Sequence, residues 1–299
     1  LRLMVLLEGL FPPGVLICVV GGREVGEALV SHPGVHAIGL IGSVAAGKAV
    51  LHSAADSMKR TLLELGGKNA MVIYPDADFD AAVDGAIRGM NFTWCGQSCG
   101  STSRLLVHDS LHDRFVEALV ASLPMKHMPG LATHMRTTMG ALVDRTQYDR
   151  SRSYVDLAVK QGARIVAGGK RPAGLEKGYF LEPTVLVDVQ PEHQVAREEI
   201  FGPVLSVLRW RDEEEMFAIA NGVDFGLTAS VWTQDLVTAH RAAAQLQAGY
   251  VWVNDCSIHL PGAPFGGYKL SGVGREECLQ EMHEFTQVKN INVSLRRRV

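Results

Sequence analysis

Apolar positions along the chain fall into two alternating patterns. Short continuous runs at 15–20, 37–41, 61–65, 70–74, 105–108, 164–167, 227–232 and 250–254 are bounded by Gly, Pro, Asn or Asp and predict buried strands. Between them lie segments of helical period. One places Phe79, Val83, Ala86, Ile87 and Met90 on a buried face and is capped by Asp76 or Asp78. Another follows Ser110 and Asp113, a capping-box pattern ahead of Leu111, Phe115, Ala118 and Leu119. Further helices are predicted at 3–8, around Val25, Ala28 and Leu29, and at 43–55, 147–162, 212–220 and 236–246. A final helix precedes 286–295, whose weak alternation predicts a terminal strand. Segments 125–139 and 172–178 have no clean period and read as loops. Strands alternating with helices predict an α/β fold with a parallel sheet.

Composition narrows the class. The chain has 299 residues, 47% of them hydrophobic, enough to bury a sizeable core. With a formal net charge of −3 and no internal charge block, nothing points to nucleic acid or an anionic membrane. The basic run Arg296, Arg297 and Arg298 reads as a solvated tail. The first apolar segment, 1–11, is interrupted by Arg2 and Glu8 and is too short to span a bilayer. The five cysteines, Cys18, Cys95, Cys99, Cys256 and Cys278, are odd in number and form no C-x-x-C, which fits a reducing cytoplasm. The chain opens without methionine, in what reads as mid-helix, the pattern of a partial chain.

Candidate chemistry centres on Cys99, which sits between Gly-Gln-Ser and a run of small residues. Small flanks leave room for a substrate beside the sulfur and free backbone N–H groups to meet an oxyanion. Glu64-Leu-Gly-Gly-Lys68 ends a strand in a glycine turn, where a glutamate suits a general base; a surface turn is the plainer reading. Glu198-Glu199-Ile-Phe201-Gly-Pro203 pairs carboxylates with an aromatic and a turn, and alone reads as a solvated turn. Gly42 and Ser43 open a helix, which offers a phosphate its positive end; an ordinary serine cap is an equal reading. Three patterns fail. The run from Gly21 to Gly26 carries Arg23 where G-x-G-x-x-G needs glycine. His108 precedes the helix that His112 enters, so the pair cannot share a zinc-binding face, and Asp76-Ala-Asp78-Phe-Asp80 lacks the glycine and closing glutamate of a calcium loop. No metal site is expected.

Taken together, Glu64-Leu-Gly-Gly-Lys68, Gly96-Gln97-Ser98-Cys99 with Arg104, Glu199-Ile-Phe201-Gly-Pro203, Asn254 and Pro264-Phe-Gly-Gly-Tyr-Lys269 occur in the order found in one family. The chain resembles the NAD(P)-dependent aldehyde dehydrogenase superfamily along essentially its whole length. The resemblance implies a nucleophile at Cys99, a base at Glu64 that activates the hydrolytic water, and a cofactor side formed by Gly42, Ser43, Leu65, Glu199 and Phe201. It further implies Thr93, Trp94, Ser98, Cys256, His259 and Phe265 near the aldehyde, with NAD or NADP as cofactor. An atypical Rossmann site of this kind lacks the glycine fingerprint. Trp94 could face a cationic aldehyde, although a packing tryptophan is the favoured alternative, and His259 points to a polar one. Glu64 favours water over coenzyme A as the acyl acceptor.

The expected division is a partial cofactor domain at 1–65, a catalytic domain at 66–270, and a helix with an oligomerisation strand at 271–299, giving a homo-oligomer, dimer or tetramer. The family's N-terminal portion, with a Pro-Trp-Asn motif whose Asn is the second oxyanion donor, has no counterpart in these residues. Losing one such donor costs on the order of 2.7–4 kcal/mol, so this chain alone is expected to be inactive or nearly so. Two other readings remain: thioester hydrolysis by Cys99 and Glu64 without cofactor, and a non-catalytic fragment that only binds sister subunits.

Overall fold

The computed structural model describes residues 1–295, and the basic run at 296–298 lies outside them. The first part of the chain forms α1 (Arg2–Leu6), α2 (Arg23–Ser31), β1 (Ala37–Ile41), α3 (Val44–Ala55) and β2 (Arg60–Glu64). The middle forms β3 (Ala70–Ile73), α4 (Phe79–Gly89), β4 (Arg104–His108), α5 (His112–Lys126), α6 (Arg145–Lys160), β5 (Arg164–Ala167), β6 (Thr184–Val187), α7 (Gln194–Arg197) and β7 (Val204–Trp210). The last part forms α8 (Glu213–Asn221), β8 (Phe225–Gly226), β9 (Thr228–Trp232), α9 (Leu236–Gln245), β10 (Tyr250–Val253), β11 (Tyr268–Lys269), β12 (Gly272–Val273) and α10 (Leu279–Glu284).

A seven-stranded sheet in the order β10-β9-β3-β4-β7-β6-β5 carries the core. Its strands pair in parallel except β5, which runs antiparallel to β6 at one edge. Strands covered on both faces are apolar throughout, and alternate side chains then serve opposite faces. Val72, Leu106 and Leu208 pack towards α6, α8 and α9 through Val155, Met216 and Ala242. Met71, Ile73, Leu105 and Val207 pack towards α4 and α5 through Val83, Ala86, Phe115 and Leu119. A smaller sheet, β1-β2-β12, has its own cluster of Val50, Leu63 and Leu65. There β12 returns antiparallel onto β2, pairing Gly272 with Glu64.

Helix starts follow from the caps. The side chains of Ser43, Asp78, Asp144, Asp212 and Asp235 each accept a backbone N–H three residues on. Of the two candidates before α4, Asp78 is the cap. Asp76 instead accepts from Gln234 N and Asp235 N, both at 3.0 Å, which ties β3 to the start of α9.

Five expectations are corrected. Segment 15–20 is irregular, with Ile17 and Val20 exposed, because no neighbouring strand among the described residues completes its ladder. Ser110 does not cap α5; its hydroxyl meets His108 Nδ1 at 2.8 Å, and the helix starts at His112 without a side-chain cap. Segment 286–295 is exposed and forms no strand, again for want of a partner strand. The pattern assigns nothing between 179 and 211, yet this stretch supplies β6, α7 and β7. The segment read as a loop from 125 begins as the last turn of α5, which carries Pro124 within it.

Arg104, 2% exposed, holds the middle of the large sheet. Its guanidinium donates to the carbonyls of Lys68 (2.8 Å), Ile219 (2.7 Å) and Ala220 (2.7 Å), joining β4 to the turn before β3 and to the end of α8. The Arg104→Met variant leaves three buried carbonyls unpaired. It is expected to lose on the order of 3 kcal/mol or more of stability, read as a lower urea midpoint at unchanged slope.

Candidate functional site

A groove of about 680 Å³ opens where the two sheets meet. β2 delivers Glu64 and Leu65 to it, the first turn of α3 delivers Gly42 and Ser43, and the loop before β4 delivers Trp94, Gln97, Ser98 and Cys99. The segment after α7 supplies Glu199 and Phe201. The Cys99 loop is tightly wound: Asn91 and Cys95 adopt left-handed φ values of 56° and 57° around a short 3-10 turn at Phe92–Trp94. A Cβ at Gly66 would displace the Glu199 carboxylate from its present position. The neighbouring Gly67 N–H donates to a carboxylate oxygen of Glu199 at 3.0 Å.

Burial and charge set the acid–base character. Glu64 is 2% exposed, and neither carboxylate oxygen has a hydrogen-bond partner among the described residues. Burial first, then the charge of Glu276, pushes it up to about 8. Burial also raises Glu199, opposed by the Gly67 N–H and by the cations of Lys68 and Arg150. Cys99 is pushed up to about 11 by burial, then by the negative fields of Glu199 and Glu64. Burial and the two carboxylates thus favour the neutral thiol of Cys99.

Other residues named from the sequence lie elsewhere. Cys256 is fully buried in the core beside α4, its thiol facing the Gly85 carbonyl at 3.3 Å, so it has no access to the groove. Phe265 is buried and stacks on His259 at 4.6 Å, and His259 pairs with Glu277 at 2.8 Å. Neither ring lines the groove, and Thr93 is exposed outside it. Trp94 does line it and is 62% exposed. The Ser43 hydroxyl caps α3 by accepting the Ala46 N–H, and Ser43 also lines the groove.

The sequence reading missed Gln147 and Arg150, one turn apart at the start of α6. Gln147 Nε2 donates to the carbonyl of Phe201 at 2.6 Å, and Arg150 to that of Glu199 at 2.6 Å. Both also line the groove. Their spacing of three was the available signal, but polar residues at that spacing occur on any exposed helix face. Among the described residues no group of three His, Cys, Asp or Glu side chains could hold a metal ion, and no helix is long and apolar enough to cross a membrane.

The model of the aldehyde dehydrogenase family matches residues 1–291. The chain belongs to this family. It is 49% identical to the aldehyde dehydrogenase tropH of Talaromyces stipitatus, over 99% of this chain and 58% of that protein. It is 41% identical to the betaine aldehyde dehydrogenase of Brucella anthropi, over 96% and 59%. Among solved structures, the NAD+ complex of the Bacillus cereus aldehyde dehydrogenase superposes with a TM-score of 0.89 at 40% identity, covering 92% of this chain and 55% of that one. This aldehyde dehydrogenase chain thus spans a little over half the length of these relatives.

Two measurements follow for the aldehyde dehydrogenase groove. Folded Glu64 keeps its proton to about 8 whereas the unfolded group loses it near 4.5, so the folded state binds more protons in between. Stability therefore falls as pH rises through that window, and urea midpoints should lose this slope in Glu64→Gln. Removing either negative field favours the thiolate, so Glu199→Gln and Glu64→Gln should each shift the pH profile of Cys99 alkylation to lower pH.

Proposed function

We propose that this chain carries the nucleophile, the general base and part of the cofactor site of an enzyme that oxidises an aldehyde to a carboxylate with NAD or NADP. The carrying observation is that Cys99, Glu64 and Glu199, far apart in sequence, line one groove. The groove fits a dinucleotide. The Gly42 N–H is taken by the Glu64 carbonyl, but the first turn of α3, entered through Ser43, offers its positive dipole end to a pyrophosphate. The carboxylate of Glu199 is a natural acceptor for ribose hydroxyls, Phe201 and Leu65 offer apolar surface to a ring, and Arg150 adds positive charge. NAD is favoured by the NAD+ complex of the Bacillus cereus relative. When bound, the cofactor accepts the hydride.

The chain's own groups account for the remaining steps. The Cys99 sulfur passes its proton to solvent water and attacks the aldehyde carbon, forming a C–S bond, and the carbonyl oxygen becomes an oxyanion held by the Cys99 backbone N–H. Loss of hydride from that carbon leaves a thioester. Glu64 then takes a proton from water, whose oxygen attacks the thioester carbon; the C–S bond breaks and the carboxylate departs. The unpartnered oxygens of Glu64 suit this role, because a base must keep a lone pair for water. Ser98 flanks the sulfur. For substrate we favour a polar or cationic aldehyde: the exposed face of Trp94 can attract a cation, and one relative acts on betaine aldehyde.

We further assign a cofactor-side unit at 1–65, a catalytic unit at 66–270 and an assembly segment at 271–299, in a cytoplasmic homo-oligomer. The protein carrying this chain, assayed with NAD, NADP and a panel of aldehydes, should reduce cofactor as it forms carboxylate. Cys99→Ser should abolish turnover, and Glu64→Gln should slow it by at least a hundredfold while thioester accumulates on Cys99. Ester hydrolysis without cofactor and no aldehyde oxidation would favour the hydrolase reading. Neither activity, with intact assembly, would favour a binding fragment.

A further inference from the structure

Asn69 lies just ahead of β3 and is 3% exposed, and every polar atom of its side chain is used. Its Nδ2 donates to the Cys99 carbonyl at 2.6 Å and to the Ser101 carbonyl at 2.9 Å. Its Oδ1 accepts the Thr228 N–H at 3.0 Å, at the start of β9. The amide orientation is unambiguous, because turning it over would set oxygen against two carbonyls and NH2 against an N–H. Gly67 makes room for this arrangement: a Cβ there would stand 2.9 Å from the Cys99 carbonyl oxygen. Asn69 thus binds the nucleophile loop to the sheet from behind, on the side away from the groove.

We propose that Asn69 is the positioning residue of the Cys99 sulfur: by holding the Cys99 carbonyl on the buried side, it turns the Gly100 N–H of the same peptide towards Sγ. The peptide unit is planar and trans, so its C=O and N–H point in opposite directions. A carbonyl fixed towards Asn69 aims the N–H of that peptide the opposite way, and Cys99 lines the groove. The Gly100 and Cys99 N–H groups are the two groups that favour the thiolate of Cys99, against burial and two carboxylates. With so much opposing ionisation, the aim of those two donors matters. Asn69 never touches the substrate; it acts through the 99–100 peptide.

This inference rests on Cys99 being the nucleophile, and its test is separate from turnover. Iodoacetamide alkylation of the Cys99 peptide is followed by mass spectrometry against pH, with the exposed Cys18 of the same molecule as internal reference. Asn69→Ala removes the donors without adding charge. Asn69→Asp keeps the size and the bond from Thr228 while removing the donors. In both, the Cys99 profile should move to higher pH and its rate at pH 8 should fall about three- to tenfold, the worth of one hydrogen bond, with Cys18 unchanged. An unmoved profile in folded Asn69→Ala overturns the proposal, as does a shift confined to Asn69→Asp, which would report its charge alone. Should Asn69→Ala not fold, amide exchange in the unsubstituted chain decides. The protection factor of Gly100 should rise as the thiol ionises, because a thiolate is the stronger acceptor, and a constant value overturns the proposal. Loss of turnover in Cys99→Ser reports on the nucleophile alone, so the two readings fail independently.

Discussion

The groove depends on how the turn between β2 and β3 is satisfied in the absence of water. Residues 64–69 leave one sheet and enter the other within six positions, and nearly all of them are buried. Each backbone group there needs a partner or costs a few kcal/mol. Arg104 takes the Lys68 carbonyl, Ser271 accepts the Leu65 N–H and donates its hydroxyl to the Gly66 carbonyl, and Glu199 takes the Gly67 N–H. Those same partners bring the nucleophile loop and the Glu199 segment against Glu64. Satisfying one buried turn therefore assembles the site.

That solution carries an electrostatic cost. Lys68 is 1% exposed, its ammonium has no hydrogen-bond partner among the described residues, and burial with the nearby Arg104 lowers it to about 7. On the groove side, Glu64, Glu199 and Cys99 all resist ionisation for the same reason, loss of water, and the two carboxylates further oppose ionisation of Cys99. Of the groove's carboxylates, Glu64, held near 8, is the one whose proton exchanges at mild pH.

Much of the fold was legible because the central strands are apolar on both faces and the helices open on aspartate or serine caps. The reading failed where the local signal was not the deciding one. The local pattern assigns no element to 204–210, yet β7 is a central strand there because β4 and β6 flank it. Segment 15–20 looks like a buried strand and is not one, because apolar character cannot supply a ladder partner. Among the candidate site residues, Cys99, Glu64, Glu199 and Phe201, named through glycine-flanked motifs, line one groove. Cys256, His259 and Phe265, named through their nearness to Asn254 and to the glycine-rich stretch, do not line it, because nearness along the chain says nothing of which side of a sheet a residue occupies.

The sequence by itself determined the family, the class of fold and the chemical types available: a thiol, a carboxylate base and glycines that let backbones approach. These are local properties, carried by residue identity and short spacing. Tertiary structure decided which of those groups share a groove, that Gln147 and Arg150 join them, that Asn69 holds the Cys99 carbonyl, and that burial pushes the Cys99 thiol up. Those outcomes depend on burial and on distances between residues 30 to 200 positions apart, which spacing along a chain cannot express.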